Sequence, residues 1–222
     1  MKTINSVARR ALFVTATCLI GAQMLSACAP LIVGGAVLGS ALVATDRRTS
    51  GAQLEDEGIE LRSANRLREA FLERVHINVT SYNRQVLLTG EVPSEADKQR
   101  AQEVISRVEN VRSIVNELAV LGNSTLTSRS SDALLTGRVK ASMVDAKDLY
   151  ANAFKVVTER GATYLLGRVT QREATRATEI ARTTPGVQRV VRVLEIISEE
   201  ELQRLLPQPP KPGTATPSPA NG

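Results

Sequence analysis

The chain carries one pattern twice, and that repeat constrains its fold more than any other feature. The first copy reads Gln85-Val-Leu-Leu-Thr-Gly90-Glu-Val92, then Ala101-Gln-Glu-Val-Ile105, then Glu109-Asn-Val111-Arg-Ser-Ile-Val-Asn-Glu-Leu118. The second reads Thr163-Tyr-Leu-Leu-Gly167-Arg-Val169, then Ala177-Thr-Glu-Ile-Ala181, then Pro185-Gly-Val187-Gln-Arg-Val-Val-Arg-Val-Leu194. Gly90 and Gly167 lie 77 residues apart and Val111 and Val187 lie 76 apart, a difference of one deletion. Whatever one copy builds, the other must build too. Two copies suit a pair of small tandem domains and not a solenoid.

Both copies show the same order of elements. Within Glu57–Leu72, Leu61, Ala64, Leu67 and Phe71 fall at helical spacing. His76–Ser81 and Gln85–Val92 alternate and are β-rich, with a turn at Tyr82-Asn83-Arg84. Ser94 caps a second helix, with Asp97 three residues on and a stripe of Ala101, Val104, Ile105 and Val108. Ser113–Val120 is a last strand. The counterparts in the second copy are Asp132–Asp145, Phe154–Glu159, Thr163–Val169, Gln171–Thr183 and Arg189–Ile197, with a hairpin at Glu159-Arg160-Gly161-Ala162. The expected fold class is α+β: two αββαβ domains, residues 52–122 and 130–198, each a three-stranded sheet with two helices on one face. Gly90 and Gly167 sit near strand ends, where a missing side chain permits close backbone approach or a bulge.

The N-terminus sets the compartment. Lys2, Arg9 and Arg10 precede an apolar run, Ala11–Ala22, too short to span a bilayer, so residues 1–27 read as a signal peptide. Leu25-Ser26-Ala27-Cys28 matches the bacterial lipobox. Cys28 is therefore expected to carry a diacylglyceryl group and an N-acyl chain such as palmitate, more than the two signals that stable anchoring needs. No other cofactor is expected. Ala29, rather than Asp, follows the cysteine, which by resemblance to proteobacterial lipoproteins favours the outer membrane, facing the periplasm. Cys18 leaves with the leader, so the mature chain has neither a free thiol nor a disulfide. The leader also takes three of the 28 basic residues, leaving 25 against 23 acidic ones, too even a balance to argue for nucleic acid.

Residues 28–51 join the lipidated cysteine to the first domain. Ala29–Ala44 is apolar and rich in glycine and alanine, and it ends at Asp46-Arg47-Arg48-Thr49-Ser50-Gly51. Its Gly35-x-x-x-Gly39 has the spacing of packed transmembrane helices, but the run is short and reads as a tether. Residues 206–222 hold six of the nine prolines and are expected to be disordered or polyproline-like.

Enzyme chemistry finds little support. The single histidine, His76, stands at a strand start without a recognisable nucleophile, and no His/Cys cluster has metal-ligand spacing. Asp145 and Asp148, and Glu199–Glu201, read as solvated faces or helix caps. The absence of Trp, with only three Phe and three Tyr, disfavours stacking on single-stranded nucleic acid or sugars.

The Gly-x-Val turn after a strand (Gly167-Arg-Val169), the Ile180-Ala181 helix and the Pro185-Gly-Val187 strand entry resemble the BON domain, named for bacterial osmotically induced and nodulation proteins. The first copy departs at Ile105, in place of the usual Ala, and at Asn110, in place of Gly. Two such domains behind a lipobox resemble the dual BON-domain outer-membrane lipoproteins. The resemblance implies a non-enzymatic module that binds anionic phospholipid and helps keep the outer membrane intact. It places lipid contact in the second domain, around the end of its first helix, here Gly137–Ala151. The residues themselves add modest support. Leu135, Val139 and Met143 form one stripe that a core would use, while Val144, Leu149 and Tyr150 extend apolar surface past the helix end, near Arg138, Lys140 and Lys147. The expected phospholipid-binding residues are Arg138, Lys140, Met143, Val144, Lys147, Leu149 and Tyr150. Leu149 and Tyr150 would equally serve to close the core. The alternative function is an adaptor for envelope or division proteins without lipid affinity of its own, working through sheet edges or the proline-rich tail. Neither reading calls for nucleic acid or a small-molecule substrate.

Overall fold

The computed structural model describes residues 46–72 and 74–205; the leader, Cys28, the apolar run that follows it and the proline-rich 206–222 lie outside the described residues. The first unit comprises α1 (Ser50–Phe71), β1 (His76–Tyr82), β2 (Gln85–Val92), α2 (Glu95–Ser106), β3 (Ser113–Asn116) and β4 (Ala119–Val120). The second comprises α3 (Leu126–Asp145), a short 3-10 turn (Ala151–Ala153), β5 (Phe154–Glu159), β6 (Ala162–Thr170), α4 (Gln171–Thr183) and β7 (Arg189–Ile197), followed by α5 (Glu199–Leu205). The architecture is α+β in two tandem units, as the repeat requires.

Both units use one topology. A hairpin pairs the first two strands antiparallel, and a helix then crosses over so that the last strand runs parallel to the second, which becomes central. The expected last strand of the first unit is broken into β3 and β4, both parallel to β2. Asn116 interrupts it: its side chain donates to Lys98 O and accepts from Leu118 N, and Leu118 turns into the core. The glycine reading is confirmed at both sites. A Cβ on Gly90, at φ +111°, would meet His76 O at 2.1 Å, and one on Gly167 would meet Ala153 O at 2.6 Å.

The hairpin turns are two residues long with positive φ at both, Asn83 and Arg84 in one unit and Arg160 and Gly161 in the other, the turn type whose twist matches that of the strands. Each turn leaves amides to satisfy, and the preceding helix supplies an aspartate. Asp56 accepts from Asn83 N at 2.7 Å, Arg84 N at 2.8 Å and Ser81 Oγ at 2.7 Å. Asp132 accepts from Arg160 N at 2.8 Å and Gly161 N at 2.9 Å. These clamps fix the rotation of each helix. In α1 the buried stripe is therefore Asp56, Ile59, Ser63, Leu67 and Phe71, and Leu61 of the expected stripe is exposed.

Helices cover one face of each sheet. Val86, Leu88 and Val92 of β2 pack under α1 and α2 with Ile59, Phe71 and Ile105. Leu165 and Val169 of β6 pack under α3 and α4 with Val139, Met143, Ala177 and Ala181. The other faces meet one another: Tyr82 and Leu87 of the first sheet form a third cluster with Ala162, Tyr164, Leu166 and Val193 of the second. The central strands are buried on both sides, which is why Val86-Leu87-Leu88 and Tyr164-Leu165-Leu166 are continuous apolar runs rather than alternating ones.

The segment before α1 locks the two units. Arg47 makes a bidentate pair with Glu173 of α4 (2.7 and 2.6 Å) and donates to Arg168 O at 3.0 Å, with both charged side chains buried. Glu173 also accepts from Thr170 N, completing the capping box of α4. The next residue turns the opposite way. Arg48 pairs with Asp56 at 2.8 Å and Asp46 at 2.7 Å and lies 4.2 Å over the Tyr82 ring. At the other end of the seam, buried Glu91 accepts from His76 Nδ1 at 2.9 Å and from Ser124 N and Oγ at 3.1 and 3.0 Å, while Asn78 donates to Glu159 at 2.8 Å.

Two outcomes follow from these buried charges. Arg47→Ala strands Glu173 without its cation and is expected to cost about 3–5 kcal/mol, read as a lower urea midpoint; a loss under about 1 kcal/mol, the range of exposed pairs, would show that the pair does not hold the units together. Acid is the second probe. Burial is the largest single influence on the carboxyls of Asp56, Glu91 and Glu173 and pushes them up, but the several hydrogen bonds each accepts, led by Ser81, His76 and Arg47 respectively, together outweigh it, and all three lie below their ordinary values. Their contribution is present above about pH 4–5 and is lost as pH falls through the lowered folded values. Glu159 is shifted the other way, raised by burial, so its contribution is largest in acid and is lost as pH rises through its folded value. Thermal melts at pH 7 should therefore show Glu159→Gln stabilised and Glu91→Gln destabilised; the reverse order would contradict the assignment.

Candidate membrane-facing site

Helix α3 presents two faces because its apolar residues exceed what one core can use. Asp132, Leu135, Val139 and Met143 turn inward at spacings of three and four. The outward side carries a second series, Leu134, Gly137, Ala141 and Val144, at the same spacings and all exposed. Leu134 is 66% and Val144 68% exposed, and Tyr150, just past the helix, is 57% exposed. Arg138 and Lys140 border this stripe on its two sides, and Lys147 follows the helix end; all three are exposed. Among the described residues, none of the three has an acidic partner. The nearby acids are Asp145, exposed, and Asp148, paired with Arg176 at 2.9 Å.

The seven expected residues divide three ways. Val144, Tyr150, Lys140 and Lys147 lie at the surface near the C-terminal end of α3. Met143 and Leu149 belong to the core, 1% and 8% exposed, packed with Val139, Phe154 and Ala177. Leu149 turns inward because its amide closes a turn onto Ala146 O at 3.1 Å. Arg138 stands apart and lines a cleft of about 500 Å³ with Ser131, Asp132 and Arg160. Lys140, Met143 and Val144 instead line a smaller cleft of about 230 Å³ against Ala151, Asn152 and Phe154. Sequence reasoning missed Leu134 and Ala141. Their signal was present as the second three-and-four series on α3, masked by the core stripe interleaved with it.

The rest of the described surface offers little chemistry. His76, Glu91 and Glu159 bring ligand atoms within 4.8 Å of one another, a donor set a divalent cation could use. One oxygen of each carboxylate is already committed, Glu91 Oε2 to Ser124 and Glu159 Oε2 to Asn78. The one buried carboxylate oxygen without a hydrogen bond, Glu91 Oε1, faces the Arg160 guanidinium at 3.7 Å, where a metal ion would be repelled. Ser124 Oγ approaches His76 at the same ring nitrogen that bonds Glu91, so the imidazole cannot relay a proton between them. No helix among the described residues is long and apolar enough to cross a membrane.

Comparison with known proteins gives the arrangement its context. The BON domain matches residues 55–122 and again residues 131–198. "Outer membrane lipoprotein DolP" of Haemophilus influenzae is 36% identical over 182 residues, covering 81% of this chain and 94% of that protein. "21 kDa hemolysin" of Actinobacillus pleuropneumoniae is 32% identical over 154 residues, 68% of this chain and 79% of its own length. Neither is named as an enzyme. A solved structure of CdsD, a structural protein of the Chlamydia trachomatis type III secretion system, aligns over 65% of this chain and 96% of its own at 12% identity and a TM-score of 0.28, too low to bear on function. With both repeats matched and a relative so similar over nearly its whole length, this chain belongs to the dual BON-domain outer-membrane lipoproteins.

Proposed function

We propose that the second domain binds anionic phospholipid through the outward face of α3, and that this binding, added to the lipid on Cys28, serves the integrity of the outer membrane from its periplasmic side. The carrying observation is the exposed stripe of Leu134, Ala141, Val144 and Tyr150 bordered by cations that no acid neutralises. Apolar side chains on an interfacial helix enter the boundary between headgroups and acyl chains, and each cation near an anionic surface contributes about 1 kcal/mol. Met143 and Leu149 support the site from within the core rather than touching lipid.

The adaptor reading has one observation in its favour. Strand β7 is an edge of the second sheet, with Ile196 half exposed. Its exposed residues include Arg189 and Arg192, however, and charges on an edge work against strand addition.

Residues 46–222, made without leader or lipid, are expected to co-sediment with vesicles increasingly as phosphatidylglycerol content rises and to be released by salt. Leu134→Glu with Val144→Glu changes two exposed positions and should weaken this binding at least tenfold without lowering the melting temperature. Undiminished binding would remove α3 from the site. Lys140→Glu with Lys147→Glu should flatten the salt dependence, since two cations at about 1 kcal/mol each correspond to roughly 30-fold in affinity. Leu149→Glu is expected to unfold the domain instead, and so reports on the core.

A further inference from the structure

The duplication makes each domain a control for the other, and the comparison isolates one position where the second copy has lost a charge that the first retains. In the first domain Glu55 fills the groove between α1 and the loop before β3. Its carboxylate accepts from Arg62 Nη2 at 2.6 Å and from Asn110 Nδ2 at 3.1 Å. Counting 76 residues on, with Asp132 in the place of Asp56, Arg138 stands for Arg62, Ser131 for Glu55 and Gly186 for Asn110. The arginine is kept, while its carboxylate partner and the amide beside it are gone. What remains is the cleft of about 500 Å³ walled by Ser128, Ser131, Asp132, Arg138, Arg160 and Gln188, with Leu135 and the backbone of Gly161 and Gly186. Arg138 has no acidic partner among the described residues, while Arg160, on the hairpin opposite and half exposed, already faces Glu91 at 3.7 Å.

We propose that this cleft takes a carboxylate from outside the domain, the Glu or Asp side chain of an acidic segment in a partner protein, seated against Arg138 as Glu55 is seated against Arg62. Paired charge-assisted hydrogen bonds from a guanidinium are the strongest recognition available to a carboxylate, and the Ser128 hydroxyl stands beside it as a further donor, while Ser131 gives its proton to Thr127 O at 3.0 Å. Asp132 selects the class of anion. It is 7% exposed in the wall of the cleft and gives both oxygens to the turn amides, so it stays in place and repels a doubly charged phosphate more than a single carboxylate. The volume left after one carboxylate accommodates the backbone that would carry it. The cleft lies on the flank of α3 marked by Ser128, Ser131 and Leu135, next to the Leu134–Val144 stripe, and Arg138 stands between the two.

The test uses the mature lipoprotein in neutral detergent micelles, followed by amide and arginine side-chain NMR signals. Ac-Ala-Glu-Ala-NH2 is titrated against Ac-Ala-Gln-Ala-NH2 and against glycerol phosphate. The expected result is saturable shifts at Ser131, Arg138, Gly161 and Gly186 with the Glu peptide and at least tenfold weaker binding of the Gln peptide. Ser131→Glu restores the residue of the first copy at an exposed position; it should quench the Glu-peptide shifts while leaving the melting temperature unchanged. Equal binding of the Glu and Gln peptides, or undiminished binding by Ser131→Glu, overturns the proposal. Tighter binding of glycerol phosphate at the same residues also overturns it and makes the cleft a headgroup site. Loss of vesicle binding in Leu134→Glu/Val144→Glu with the Glu-peptide shifts intact separates this site from the lipid face.

Discussion

Two helices on a three-stranded sheet cover one side of it and leave the other bare, and in this chain the two bare sides are buried against each other. Tyr82 and Leu87 from one sheet and Tyr164, Leu166 and Val193 from the other supply that contact. A unit of about 70 residues has a small core and is marginal alone. Burying the second face gives each central strand a hydrophobic environment on both sides, at about 1.5–3 kcal/mol for each fully buried large apolar side chain. The layers run helix, sheet, sheet, helix, and the helices are left on the outside.

Charge completes what apolar burial begins. A buried ion pair stabilises little relative to an apolar pair, but it tolerates few alternative arrangements, because a misplaced guanidinium or carboxylate would be buried alone. Arg47 on Glu173 and Arg48 on Asp56 and Tyr82 hold the two units from adjacent residues of one segment. That segment lies between the cysteine expected to carry lipid and the first helix, so the anchor is joined to the body at the point where the two domains are locked.

The two copies have kept the contacts that set the frame of a domain and differ at surface positions on the first helix. The aspartate clamp on the hairpin amides is present in both, as are the central strand and the glycine that lets the first strand approach. Glu55 in one copy answers to Ser131 in the other, and the cations beside the exposed α3 stripe have no acidic partner among the described residues.

The repeat, read as residues, determined the class, the element order and the number of domains, because hydrophobic periodicity and turn chemistry are local properties. The lipobox at Cys28 is equally local. What the linear pattern could not decide was which of two overlapping stripes on a helix turns inward. Leu61 and Leu149 illustrate this in opposite senses: one fits a core pattern and is exposed, the other follows the helix end and is buried. The choice depends on Asp56 and Asp132 finding turn amides, and on a loop closing over Phe154, contacts between residues distant in sequence. The meeting of the two sheets, the Arg47–Glu173 lock, the outward stripe on α3 and the empty counterpart of the Glu55 groove were decided by tertiary structure alone, because each depends on what faces a residue in space rather than on its neighbours along the chain.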